Sequence, residues 1–334
     1  MLSYRYKKPA ACIISGLFLC FSLAFCNLSN AQSGSPFITR NQSPLSLIYG
    51  IPAATPARLL EENNSRWISS LNISNTLIAQ SGTNDQLFID LETWQLNLFY
   101  DYGLKQNWML RVHLPVIAHT GGIFDSAIDN YHKTLGFPRG LQPGLPYNQI
   151  SIDYTQDNTS QLNISSKQKD IGDIAFQLAW QMKKSNDIAI SYWTSLKLPT
   201  GDYKKLTGSG GTDIAAWAAM DYRLNDSRWL FGQAGLLYMH NNKVLPDIHN
   251  NWGTFAMAGI KFQPWKPVEL KAQLEFHSAL FDTDIKFMQQ SYQLTFGGSY
   301  LINTQQKLDF AVGEDIKSGT SPDVSFNISW WISL

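Results

Sequence analysis

Beyond residue 26 the 334-residue sequence has no cysteine, because Cys12, Cys20 and Cys26 are its only three. Disulfide frameworks, thiolate zinc sites and cysteine nucleophiles are thereby excluded from everything downstream. Charge is scarce as well: 16% of residues are Asp, Glu, Lys or Arg, against roughly 25% in an ordinary soluble domain. A disordered charged tail is excluded on that ground. The 26 basic and 26 acidic side chains balance, so no basic patch supplies the counterion release on which nucleic-acid binding depends. Past residue 31 there is no run of ~18 apolar residues, which rules out a helical membrane protein. Catalytic motifs are missing too. No Gly-x-Ser-x-Gly elbow, phosphate loop, His-Glu-x-x-His or EF-hand pattern occurs, and no cofactor or metal site is expected.

What is present begins with a leader. Arg5, Lys7 and Lys8 form a positive n-region, Ala10 to about Phe25 an apolar h-region, and Ser29-Asn30-Ala31 supplies small residues for cleavage before Gln32. A signal peptide over 1–31 is expected. It removes three cations and no anion, leaving residues 32–334 with a formal charge of −3.

From residue 66 onward the dominant signal is alternation with period two, in which one face is repeatedly aliphatic or aromatic. In the last segment Val324, Phe326, Ile328, Trp330, Ile332 and Leu334 take one face, and Ser325, Asn327, Ser329, Trp331 and Ser333 the other. Val268, Leu270, Ala272, Leu274 and Phe276 likewise oppose Glu269, Lys271, Gln273, Glu275 and His277. The pattern predicts twelve strands, give or take two, at about 66–79, 86–102, 108–117, 170–182, 188–199, 212–222, 228–239, 251–262, 268–280, 289–301, 307–316 and 323–334. Most exceed the ~5 to 6 residues of a soluble strand and match the ~9 to 11 of a tilted strand crossing a bilayer.

Connections alternate between short and long, as a closed antiparallel barrel with both ends on one side requires. Tyr100, Tyr102, Trp108, Trp180, Tyr222, Trp229, Phe262, Trp265 and Tyr300 cluster beside the short turns. Rings at that level form one girdle at the headgroups. Strands 228–239 and 251–262 alternate poorly, since Leu230, Gly232, Ala234 and Leu236 compete with Trp229 and Phe231 for the outward face.

Two stretches do not read as wall. Residues 32–65 carry Pro36, Pro44, Pro52 and Pro56 and no strand long enough to span, so a periplasmic lead-in and a lumen plug both remain open. The 118–169 connection places Phe124, Ala127, Ile128, Tyr131 and Leu135 at three- and four-residue spacing before Gly136-Phe137-Pro138. This predicts a short lid helix in the second external loop. Gly208-Ser209-Gly210-Gly211 reads as a flexible loop.

Arg40-Asn41-Gln42-Ser43-Pro44-Leu45 with Tyr49-Gly50-Ile51-Pro52, and Gly121-Gly122-Ile123-Phe124-Asp125 with Gly136-Phe137-Pro138, carry a likeness to known chains. Over nearly the whole mature chain the sequence resembles an uncharacterised proteobacterial outer-membrane β-barrel family, a domain of unknown function. The resemblance implies a secreted barrel and adds no activity. Leu-Lys-Leu-Pro-Thr-Gly-Asp at 196–202 is more distantly similar to barrels thought to pass hydrophobic or aromatic compounds.

Alternation turns Asp101, Arg111, His113, Lys197, Glu269, Lys271, Glu275 and His277 toward the lumen. Mixed charges there line a water path or pair to close it, whereas charges facing lipid are costly. An outer-membrane hydrolase with Ser two residues beyond His on a wall strand would read His-x-Ser, and none of the six histidines does. The sequence is therefore expected to encode an outer-membrane barrel without catalytic residues, acting as a passive channel or transporter for a small molecule. A plugged barrel with a structural or surface-interaction role is the alternative, and a hydrolase the second. Outer-membrane lipid, and the barrel-assembly machinery engaging the C-terminal strand, are the expected partners.

Overall fold

The computed structural model describes residues 35–122, 146, 148–317 and 319–334. The expected signal peptide, and Phe124, Ile128, Tyr131 and Leu135 of the expected lid helix, lie outside the described residues. Strands β1 (Ser65–Ser81), β2 (Asp85–Lys105) and β3 (Trp108–Thr120) are the first staves of a barrel. The long connection that follows holds β4 (Ser151–Gln156), β5 (Thr159–Ile164) and β6 (Gln168–Ile171). Five staves come next: β7 (Ala175–Lys184), β8 (Ile188–Lys197), β9 (Thr212–Asn225), β10 (Arg228–His240) and β11 (Trp252–Trp265). The last four are β12 (Val268–His277), β13 (Ser291–Leu301), β14 (Gln306–Asp315) and β15 (Val324–Ser333).

Every wall strand pairs antiparallel with its neighbours, and the sheet closes where β15 meets β1 from Asn75↔Val324 to Arg66↔Ser333. Closure leaves no unpaired edge along the wall, which is what a sheet needs to sit in hydrocarbon. Twelve strands make the ring, and β4, β5 and β6 extend it beyond the second and third staves. β2 is 21 residues long, so its Asp85–Asp90 portion outruns β3 and pairs with β4 instead. β4 and β5 are joined by Asp157-Asn158, both at positive φ (50° and 61°), as a two-residue hairpin turn demands.

Two expectations need correction. The single strand expected at 170–182 is broken: β6 pairs with the upper part of β3 and β7 with the lower. Pro115 opposite the break has no N–H to donate, and its carbonyl takes the Gly172 N–H at 2.8 Å. A Cβ on Gly172 would meet the Pro115 ring at 2.8 Å, so the strand crosses here only as glycine.

The second correction concerns Trp229, which belongs to no girdle. It faces inward and is buried with Phe231, while Leu230 and Leu236 face outward. Large rings fit on this inner face because glycines oppose them. A Cβ on Gly259 would lie 2.4 Å from the Phe231 ring, and one on Gly235 would lie 2.4 Å from Trp217 Cβ. Of the other expected girdle members, Trp180, Tyr222, Phe262, Trp265 and Tyr300 are exposed, while Tyr100, Tyr102 and Trp108 are half-buried; exposed Trp67, not among the expected members, packs 4.8 Å from Tyr100.

Facing is directly testable. Leu236→Arg, on the outer face, should cost about 2–4 kcal/mol of stability in lipid. Gly259→Val should lose roughly 1–3 kcal/mol by overpacking against Phe231. Both are read from urea midpoints of the reconstituted protein by the boiling-sensitive gel shift of a folded barrel. An unshifted midpoint for either variant contradicts the facing assigned to its strand.

Candidate lumen plug and channel lining

Residues 35–64 run inside the barrel as an irregular hairpin. The ascending arm follows β12 with a constant offset. Phe37 N–H donates to Gln273 Oε1 at 2.9 Å, Thr39 Oγ1 bonds Glu275, and Asn41 Nδ2 meets His277 Nε2 at 2.8 Å. Extended chain and strand advance together, so alternate plug residues meet successive inward side chains of the wall.

At the tip the chain turns through 43–49, where Ser46 and Leu47 N–H groups bond the Ser43 carbonyl. The Arg40 guanidinium staples this turn by donating to the carbonyls of Leu47, Tyr49 and Ile51, each at 2.8 Å. The descending arm then touches Asp213 through Gly50 N–H (2.7 Å), Gln233 through Thr55 N–H (2.9 Å) and Gln181 through Leu59 N–H (2.8 Å). It leaves at the short-turn end, where Asn63 N–H bonds the Gly103 carbonyl at 2.9 Å and β1 begins.

Apolar burial reinforces the hairpin. Phe37, Ile38, Leu45, Ile48 and Tyr49 are all at most 1% exposed, and each such side chain is worth about 1.5–3 kcal/mol against exposure to water. Leu280, Phe281, Ile285, Phe287 and Met288 from a long loop join Leu45, Ile48 and Tyr49 in one cluster and cover the tip. Tyr49 packs 5.1 Å from His249 and edge-on to Phe281. Burial pushes the His249 imidazole down to about 4, so it meets the plug as a neutral ring at neutral pH.

The eight lumen candidates all sit on inward positions, and most are locked in wall networks. Asp101 takes Arg111 Nε at 2.6 Å and Arg66 Nη2 at 2.6 Å. Arg111 also lies between the Phe99 and Trp193 rings, 5.2 and 5.1 Å from their centroids. Lys271 and Lys307 share Asp309 at 3.1 and 3.5 Å, and Trp331 Nε1 donates to the same carboxylate at 2.7 Å. Glu269 holds Lys261 at 2.8 Å, with the ammonium 3.9 Å above Trp229.

Lys197 lies between Asp173 (2.5 Å) and Asp213 (3.1 Å) and donates to the Ile48 carbonyl of the plug. Glu275 and His277 bond the plug instead, and His113 bonds Asn97 Oδ1 at 2.8 Å while stacking on Phe99.

Arg66, Lys261, Lys307, Asp213 and Asp309 were not singled out from the sequence, although alternation places each inward. Asp173 carried no such signal, lying in the strand break. The glycine-rich 208–211 stretch is a loop, mostly buried, that clamps Asp173 through Ser209 N–H at 3.0 Å and a Gly208 that leaves no room for a Cβ. Two cavities of about 30 Å³ each flank the plug, large enough for a water molecule. A larger space of about 240 Å³ opens at the short-turn end beside Leu59, Glu61, Asn107 and Lys184.

Removing a partner from a buried network should be costly. Asp309→Ala strands two buried ammonium groups and should lose about 3–5 kcal/mol. Lys184→Ala, which breaks the exposed 3.5 Å pair with Glu61, should change stability by less than about 1 kcal/mol. Equal urea midpoints for the two variants would contradict the burial of the Asp309 network.

The barrel is similar to solved outer-membrane structures. The COG4313 outer membrane channel from Pseudomonas putida F1 superposes with a TM-score of 0.55 at 11% identity, over 83% of this chain and 98% of that one. The NanC porin gives 0.46 at 8% identity over 81% and 100%, and the P. putida toluene transporter TodX 0.40 at 10% over 82% and 90%. The first of these likenesses establishes the fold of an outer-membrane β-barrel. No curated protein matches the sequence. The profile of the family described as "Protein of unknown function (DUF3187)" matches residues 13–331, and the chain belongs to that family.

Proposed function

We propose that the protein is a gated, non-enzymatic channel of the bacterial outer membrane that passes a small molecule, with residues 35–64 as its gate. One observation carries this reading. Outside the aromatic band of β8 to β11 the inner wall is built largely from Ser, Thr, Asn, Gln and charged side chains, and an irregular segment, packed apolar only in part, satisfies some of them. A core that only had to be solid would use apolar side chains, since buried polar groups lose free energy unless every one is paired. A wall that water meets when the segment leaves has reason to be polar.

Short turns lie on the periplasmic side of outer-membrane barrels, so the gate enters and leaves from the periplasm. The expected leader and the C-terminal β15, with its outward Phe326, Ile328 and Trp330, support delivery to that membrane through the barrel-assembly machinery.

A permanently plugged barrel is the second reading, favoured by the burial of Phe37 and Tyr49. Planar-bilayer recordings separate the two. The wild type should conduct intermittently, and a variant lacking residues 35–60 should conduct continuously at several-fold higher unitary conductance. In that background Lys271→Gln should shift selectivity toward cations, because Asp309 then keeps one lysine in place of two. A gate-less barrel that folds but carries no current leaves the plugged reading standing and sinks the channel.

A further inference from the structure

The two arms of the plug are held unequally. The ascending arm is fixed to Gln273, Glu275 and His277 at three successive inward positions of β12. Between Ile51 and Pro56 the descending arm includes two prolines, which have no N–H to donate. There the arm is tied by Arg40 to the Ile51 carbonyl, by Ala54 N–H to the Thr39 carbonyl, and by Thr55 to Gln233 and Trp217. This arm is also a partition: the two cavities beside the plug lie on either side of it and share Arg40, Ile51 and Pro52 as lining.

Each cavity is lined by residues with buried polar atoms that have no partner among the described residues. On one side these are Tyr49 Oη and Gln177 Oε1, and on the other Glu275 Oε2 and Ser291 Oγ. All four residues are at least nine-tenths buried. Gln177 Oε1 is an acceptor, and so is Glu275 Oε2 as a carboxylate, so an occupant that brings donors suits both flanks. Aromatic side chains stand beside them. Phe99, stacked on His113 at 4.3 Å, lines the first side, and Phe255 the second.

Resting on the channel reading above, we infer that withdrawal of the Ile51–Pro56 arm joins the two cavities into one binding site for a small ring molecule bearing hydroxyl groups. Its hydroxyls bond Gln177 and Tyr49 on one flank and Glu275 and Ser291 on the other, while its ring lies against Phe99 or Phe255. In the closed state Pro52 and Ala53 occupy that place, with Ala53 packed against the cluster containing Phe99.

The test uses the full-length protein in planar bilayers, with D-glucose, catechol and glycerol as separate probes. Glucose or catechol should block the ion current in a saturable manner, and glycerol, which has hydroxyls and no ring, should not. Glucose alone marks the ring as a sugar, and catechol alone marks it as a phenol. Gln177→Leu and Ser291→Ala lie on opposite flanks, and each should raise the half-blocking concentration about fivefold, as loss of one hydrogen bond would. A Thr55→Cys/Gln233→Cys pair, in a chain with no cysteine of its own beyond residue 26, should abolish current and block when oxidised and restore both on reduction.

Current without block by either ring probe overturns the site and leaves the channel intact, the cavities then taking water only. A shift from only one of the two flank variants overturns the joining of the cavities. Absence of current altogether sinks the channel reading and this inference with it.

Discussion

A sheet placed in hydrocarbon must satisfy every backbone N–H and C=O from within itself, and the pairing of β15 with β1 achieves this. Closure forces the rest. With no edge left, residues on each strand are sorted into outward and inward sets by parity alone, and lipid accepts only one kind of surface. Polar side chains therefore collect inside. Side chains just fill a barrel of about eight strands, while sixteen or more leave an open aqueous channel. A twelve-strand ring falls between these limits. Here residues 35–64 take up space inside it.

The same geometry explains the unusual inner face of β9 to β11. Trp217, Trp229, Phe231 and Phe255 point inward, where an outer-membrane wall would ordinarily keep aromatics for the headgroup level. Each has a specific accommodation: Gly259 under Phe231, Gly235 between Trp217 and Phe255, and the Lys261 ammonium over Trp229. The Trp193 and Trp217 rings stack at 5.6 Å and continue the band into β8. Opposite, the inner faces of β1 and β15 carry Ser70, Asn72, Ser74, Asn327 and Ser329, small groups bonded mostly to one another. The lumen thus has an aromatic side and a hydroxyl-amide side, and the descending arm, through Thr55, lies on the aromatic one.

Strand parity made most of the wall legible before any coordinates. Trp330 and Trp331 are neighbours of the same type, yet period two assigns the first to lipid and the second to the lumen, and Asp309 receives the Trp331 N–H. Parity failed where both faces carry large residues, as at Trp229 and Phe231, because what accommodates the inward rings, Lys261 over Trp229 and Gly259 under Phe231, sits on the adjacent strand and not on the same one. It failed again at Gly172, where the break depends on a proline 57 residues earlier in the chain. The plug's position was illegible for a deeper reason. A segment without period meets its partners at a sequence offset of 236, and nothing local in either stretch encodes that match.

Charge and neutral bonding divide the work. Arg66–Asp101–Arg111 ties β1, β2 and β3; Lys271 and Lys307 with Asp309 tie β12 to β14; Lys261–Glu269 ties β11 to β12; and Lys197–Asp213 ties β8 to β9. Between wall and plug, the Lys184–Glu61 ion pair is exposed. The plug is otherwise held by amides, hydroxyls and backbone groups, several of them bonded to a charged wall residue that keeps an ionic partner elsewhere. Lys197 gives up a carbonyl and Asp213 an N–H if the hairpin leaves, yet the two retain each other. Water can replace a neutral hydrogen bond at a net cost of about 0.5–1.5 kcal/mol, whereas stranding a buried charge costs several times more. A lumen wired in this way can lose its insert without loss of its wall, which is the property a gate requires and a permanent core does not.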